Sequence, residues 1–324
     1  MAFKYRLLHG VGLSAMFRRL NRERVSVLMY HGVLPDDDSL AEDDWLQVRL
    51  SEFRRQMDFL RRNYAVIHFA DALAGPVGGK CKDRPRAIIT FDDGYANNCH
   101  WALPVLQALG LPATVFVSTA FLDTRRLFWW DRLRLSLAAV GRTVPVDWVV
   151  RLKGLHPSAI DEALDGMLVA AGVESCNRAP ESYRCLNSGE LQTLRDSGLI
   201  RIGSHTHGHE ILERLSDAEV SATLAASQEA LAARGGATAL FAAPNGSYAS
   251  RQTALMRTGG FALCAATDPV LWRCPGNPYR IPRLPVGRGS SEAQFALQLS
   301  GALAFLKNPA DVFGALLSST SAGA

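Results

Sequence analysis

The sequence most plainly lacks a membrane span. Residues 293–306 carry no charge, but that stretch falls short of the ~20 residues a bilayer requires. A buried terminal helix is the default reading, and contact with a membrane surface is the other. A secretory leader is not expected either. The N-terminal apolar residues are broken by Gly10 and Gly12, with no clear hydrophobic region before a small-residue cleavage site. Of the six cysteines, Cys81, Cys99, Cys176, Cys185, Cys264 and Cys274, no two make a CxxC pair. They read as reduced thiols of a non-oxidising compartment. There is no internal repeat and no low-complexity tract. The loop at residues 75–80 lacks the Gly-Lys-Ser/Thr ending of a phosphate loop.

Basic charge spread over a folded surface is lacking too. Residues 1–24 hold Lys4, Arg6, Arg18, Arg19, Arg22 and Arg24 against the single acid Glu23. That excess is larger than the whole chain's net +4, so the remainder is close to neutral and nucleic acid is not expected as a partner. The same segment carries Phe3, Leu7, Leu8, Val11, Met16, Phe17 and Leu20. It reads either as a terminal helix packed on the domain or as a basic amphipathic segment resting on an anionic membrane.

With 48% hydrophobic and 20% charged residues in 324, the chain is long enough for one α/β barrel with an insertion. Strands are predicted at 25–30, 87–91, 113–117 and 199–203, with weaker ones at 239–243 and 261–266 and an extended, proline-bearing edge at 280–286. Helices are predicted between them: 51–62 with Ser51 as N-cap, 187–197, and 216–234 opening on a capping box. Alternating strands and helices predict parallel strands, and about seven of them favour a deformed (β/α) barrel over an open sheet. Residues 123–187 show helices without a strand, a helical insertion. The expected division is thus a basic segment at 1–24, a barrel at 25–290 and a helical segment at 291–324.

Two motifs carry chemistry. Thr90-Phe91-Asp92-Asp93-Gly94 follows an apolar strand, so two adjacent carboxylates emerge at a strand end, where they can take different roles. Gly203-Ser204-His205-Thr206-His207-Gly208-His209 places three of the eight histidines after another strand. Neutral imidazoles beside a carboxylate suit zinc or a similar divalent ion. A helical turn would put His205 and His209 on one side and His207 elsewhere.

On these residues the chain resembles the polysaccharide deacetylases of the NodB-homology type, a carbohydrate esterase family. The first family motif, Thr-Phe-Asp-Asp-Gly, is unchanged, and His205 to His209 match its His-(Ser/Thr)-x-x-His. The resemblance runs from Val27-Leu28-Met29-Tyr30-His31-Gly32-Val33 to Arg280-Ile281-Pro282-Arg283-Leu284-Pro285-Val286, interrupted by the insertion. It implies a barrel with fewer than eight strands and a cation held by Asp93, His205 and His209. It implies Asp92 as general base, and removal of N-acetyl groups from amino sugars of a polysaccharide or glycolipid precursor. Zinc is the default ion; cobalt, nickel or manganese are the alternatives.

The family's Arg-x-Pro-x-Gly motif here has Ala242 in place of arginine, while Pro244 and Gly246 match. The backbone N–H of Asn245 would assist the oxyanion. Arg280 or Arg283 is the candidate replacement guanidinium, the alternative being a structural arginine on an edge strand. Asp268 and Trp272 fit the spacing of a fourth motif. The late Leu-His motif is absent, since no histidine follows His209, so His31 is the candidate leaving-group acid. The alternative for His31 is a buried histidine bonded to backbone. Tyr95, Trp129 and Trp130 are candidate sugar-facing aromatics, or else core. Rival functions are a hydrolase of non-sugar amides and a non-catalytic carbohydrate-binding relative. Cytoplasmic action, peripheral at the inner membrane through the N-terminal segment, is the expected location. Oligomeric state is not legible.

Overall fold

The structure, a computed structural model, describes residues 2–42, 44–73 and 84–307. The loop read at 75–80, Cys81 and the chain beyond Lys307 lie outside the described residues. The other five cysteines are free thiols.

Helices α1 (Ala2–Gly10) and α2 (Leu13–Leu20) precede strand β1 (Arg24–Tyr30). Strands β2 (Gly32–Leu34) and β3 (Gln47–Arg49) pair with each other apart from the main sheet. Then come α3 (Leu50–Asn63), β4 (Ala65–Val66), β5 (Arg86–Phe91), α4 (Leu103–Leu109) and β6 (Ala113–Val117). Three helices follow without a strand: α5 (Trp129–Ala138), α6 (Val146–Gly154) and α7 (Ile160–Ala170). The alternation resumes with α8 (Ser188–Asp196), β7 (Ile200–Ser204), α9 (Asp217–Ala232), β8 (Leu240–Ala242), α10 (Gln252–Thr258) and β9 (Leu263–Ala265). It ends with β10 (Trp272–Arg273), β11 (Leu284–Pro285), α11 (Glu292–Leu299) and α12 (Ala302–Lys307).

Local signals account for several boundaries. Asn187 caps α8 and Ser216 caps α9, each in a reciprocal box with Glu190 and Glu219. Ser51 does not cap α3. Arg49 occupies that position without a side-chain bond, and the Ser51 hydroxyl donates to Asp36 instead. The charge-free stretch at 293–306 is divided at Ser300-Gly301 into α11 and α12, whose buried residues include Phe295, Leu297, Leu299 and Ala302.

The main sheet runs β10-β1-β5-β6-β7-β8-β9, with β4 on β5 and β11 on β1. All pairings are parallel except β1 with β10. Residues 280–286 bridge the gap between the first and last long strands. Ile281 pairs with Ala265 of β9, while Leu284 and Pro285 pair with Leu28 and Met29 of β1. One short segment therefore closes the curled sheet into a deformed barrel. Strand alternation divides the core in two. Val25, Val27, Ile88, Phe116, Leu240, Ala242, Leu263 and Ile281 fill the inside. Leu28, Tyr30, Ile89, Phe91, Val115 and Ile202 face the surrounding helices. Gly203 belongs to the crowded interior: a Cβ there would stand 2.3 Å from the Phe116 ring. The insertion has its own core of Leu133, Leu137, Leu152, Leu164 and Leu168, with Trp129 and Trp148 against it.

Candidate active site

Along β5, Ile88 and Thr90 point into the barrel, and alternation carries Asp92 to the same side at the strand's C-terminal end. Its N–H continues the ladder by donating to Tyr30 O at 2.9 Å. Asp93 then takes a left-handed conformation (φ 73°), followed by Gly94 (φ 84°). This turn separates the two carboxylates. Ser118, just past β6, ties both motifs together. Its N–H donates to Asp93 O (3.2 Å) and its hydroxyl to His205 O (3.0 Å).

The histidine segment is not the helical turn expected from its spacing. Thr206 and His209 adopt φ values of 62° and 59°, and this double reversal brings His209 back beside His205. The rings lie 4.9 Å apart. His207 points away, with Nδ1 2.8 Å from the Thr119 hydroxyl. The Nε2 atoms of His205 and His209 stand 3.5 and 3.4 Å from Asp93 Oδ1. Ligands bound at about 2.0–2.2 Å in a tetrahedron are themselves about 3.3–3.5 Å apart, so the three side chains have the spacing of a metal triad.

Two further observations fit a cation. Neither carboxylate oxygen of Asp93, which is 2% exposed, has a hydrogen-bond partner among the described residues. That is costly for a buried charge without a counter-ion. His205 Nδ1 lies 2.7 Å from Ala242 O. A carbonyl can only accept, so Nδ1 carries the proton and Nε2 presents its lone pair toward Asp93. Burial lowers the His205 pKa to about 4 against the pull of Asp92, which keeps the ring neutral. Burial pushes the Asp93 carboxyl upward, but the imidazoles of His209, His31 and His205 outweigh it and draw it below its ordinary value.

Asp92 is held differently. Arg283, fully buried, grips it with both fork nitrogens at 2.6 and 2.7 Å. The same guanidinium donates to Ala266 O at 2.9 Å and to the Thr90 hydroxyl at 3.1 Å, which in turn donates to Leu28 O. Burial alone would raise the Asp92 carboxyl. The charge of Arg283 and its hydrogen bonds outweigh burial and hold it at about 2. Arg280 is engaged elsewhere, bound through both Nε and a terminal nitrogen to Asp268 at the rim. Of the two candidate arginines, Arg283 therefore takes the place left by Ala242. Asp268 reaches this centre only through its backbone oxygen, which accepts from Arg283 N.

Two expectations need correction. Trp272 pairs with Val25 at the start of β1, the end of that strand remote from Asp92. It packs inside the lower barrel and not at the mouth. Tyr95 is fully buried and donates to Asp131 Oδ2 at 2.6 Å, so its ring offers no open face to a sugar. Trp129 belongs to the insertion core. Trp130 is the aromatic that reaches the centre: its ring lies 4.5 Å from His209, is stacked on Phe128, and is anchored by an Nε1 bond to Tyr95 Oη. His31, half-buried after β1, has its Nδ1 buried without a partner among the described residues. Asn245 sits exposed in a left-handed turn (φ 56°), where its Oδ1 accepts from Lys153 of α6 at 3.0 Å. Ser118 and Lys153 were not legible as site neighbours, because neither stands in a motif.

Fold and centre together define an α/β barrel with a carboxylate–imidazole cluster, spaced as a metal could use it, at the C-terminal mouth of its strands. The family model described as polysaccharide deacetylase matches residues 79–263, more than half of the chain, and the chain belongs to that family. It is 32% identical over 98 residues to the poly-beta-1,6-N-acetyl-D-glucosamine N-deacetylase of Escherichia coli K12. That match covers 30% of this chain and only 14% of the E. coli protein. Among solved structures, the fold is similar to the Streptococcus pyogenes deacetylase PplD in complex with acetate. Its TM-score is 0.59 at 15% identity, over 85% of this chain and 98% of that one. It is also similar to IcaB from Ammonifex degensii, with a TM-score of 0.57 at 20% identity over 86% and 97% of the two chains.

Proposed function

We propose that the chain hydrolyses N-acetyl groups of amino sugars within a polysaccharide or glycolipid, using a divalent cation. The observation that carries this reading is the juxtaposition of two differently held carboxylates. Asp93 is spaced with His205 and His209 as a ligand set, while Asp92 is clamped by Arg283 beside it. Asp93, His205 and His209 would hold the ion, zinc being the one this donor set favours. When bound, it supplies Lewis-acid polarisation of the amide carbonyl and a more acidic water. Asp92, ionised and oriented by Arg283, takes the proton of the attacking water. His31 delivers a proton to the departing amine, so acetate and a free amino sugar result. The backbone N–H of Asn245 supports the developing oxyanion, and Trp130 forms an apolar wall against which the acetyl methyl or sugar face packs. The sugar assignment rests on family membership and on what the E. coli relative is named for.

The test couples metal analysis to acetate release from N-acetylglucosamine oligomers. Asp93→Ala should emerge without metal. Asp92→Asn should keep it and lose activity by about 10²–10⁴-fold. Equal metal content in the wild type and Asp93→Ala would refute the ligand set. Full metal with no acetate release from any N-acetylated glycan would refute the reaction.

A further inference from the structure

The paired helices at the start of the chain are apolar on both sides. On the inner side, Tyr5, Leu8, Leu13 and Phe17 pack on Leu297, Ala302 and Phe305, with the Phe17 and Phe305 rings 5.1 Å apart. That contact suffices to dock a terminal hairpin. The outer side is apolar as well. Phe3, Leu7 and Val11 recur at four-residue spacing, and Phe3 and Val11 are 81% and 71% exposed. Met16 and Leu20, again four apart, face solvent from α2. A helix on a water-soluble surface ordinarily turns charged residues to that side. Here the cations stand beside the apolar row: Lys4 and Arg6 on α1, Arg19 on α2 and Arg22 after it, all exposed. The one acid of the segment, Glu23, lies 3.5 Å from Arg22.

We propose that this outer face of α1 and α2 docks on an anionic lipid surface, its apolar row entering the acyl boundary and its cations meeting the headgroups. Charge complementarity selects this occupant. A second copy would bring the same positive charge to the contact, and like charges oppose such a pairing. Exposed apolar side chains flanked by lysine and arginine are the arrangement that binds at a bilayer interface without crossing it. Among the described residues, no helix is long and apolar enough to cross a membrane. None of these residues belongs to the hydrolytic centre.

The test is flotation of the full chain with phosphatidylglycerol-rich vesicles and with pure phosphatidylcholine vesicles. The wild type should float with the former and bind the latter at least about tenfold more weakly. The exposed substitutions L7E/V11E/M16E should weaken binding by about tenfold or more while leaving thermal melting and metal content unchanged. R6E/R19E should abolish the preference for anionic lipid. Failure of the wild type to float, or equal flotation of L7E/V11E/M16E, overturns the proposal. So does a dimer in light scattering that L7E/V11E/M16E disperses, which would assign the face to a second copy. Flotation that appears only after removal of residues 308–324 would assign it to the chain's own tail.

Discussion

The two neighbouring aspartates differ only in what surrounds them, and Arg283 makes most of the difference. A guanidinium that gives both fork nitrogens to one carboxylate fixes its orientation as well as its charge. Lysine would keep the charge without the fork. Arg283→Lys should therefore fold and bind metal, with kcat lowered about 10–100-fold and KM little changed, as steady-state acetate release would show. Arg283→Met leaves Asp92 as a buried charge without its main partner, a loss of about 3–5 kcal/mol that denaturant unfolding would register. Should Arg283→Met prove as stable and active as wild type, Arg283 has no positioning role. The family resemblance named Asp93, His205 and His209 together, and the structure brings the three side chains within reach of one another. The choice between Arg280 and Arg283 was not legible in the sequence, because it depends on which of two residues, three apart on one closing segment, faces inward.

At the level of the elements, the longer strands and the capped helices were readable from alternation and from the Asn187 and Ser216 boxes. β2, β3, β4 and β10 were not, being two or three residues long and too short to show a period. Tyr95 and Trp272 were misplaced for a related reason: spacing along the chain does not say whether an aromatic ring ends in a core or at a mouth. Gly203 shows how tightly β6 and β7 are fitted. Gly203→Ala forces a methyl against Phe116 and should cost about 1–3 kcal/mol. Gly203→Ala combined with Phe116→Leu should recover part of that, as paired melting curves would reveal. Strict additivity of the two losses would refute the packing argument.

For the molecule as a whole, the insertion couples global stability to pH. Burial, then the charge of Asp44, pushes the Asp131 carboxyl well above its ordinary value, while the Tyr95 hydroxyl bond and Arg134 oppose the shift. Above the usual carboxylate pKa the unfolded chain releases this proton and the folded chain retains it, so stability falls as pH rises. Asp131→Asn removes that penalty. It should raise the melting temperature at pH 8 by about 2–4 °C and leave it nearly unchanged near pH 4. An identical shift at both pH values would contradict a retained proton.

The closing segment at 280–286 has a temporal consequence. Asp92 and its clamp are 191 residues apart in sequence, and Arg283 lies on the stretch that shuts the barrel. A nascent chain still holding Arg283 in the ribosomal tunnel has already exposed both aspartates, His205 and His209, yet has no partner for Asp92. The clamp on Asp92 thus forms only after residue 283 has been made and the segment that carries it has closed the barrel.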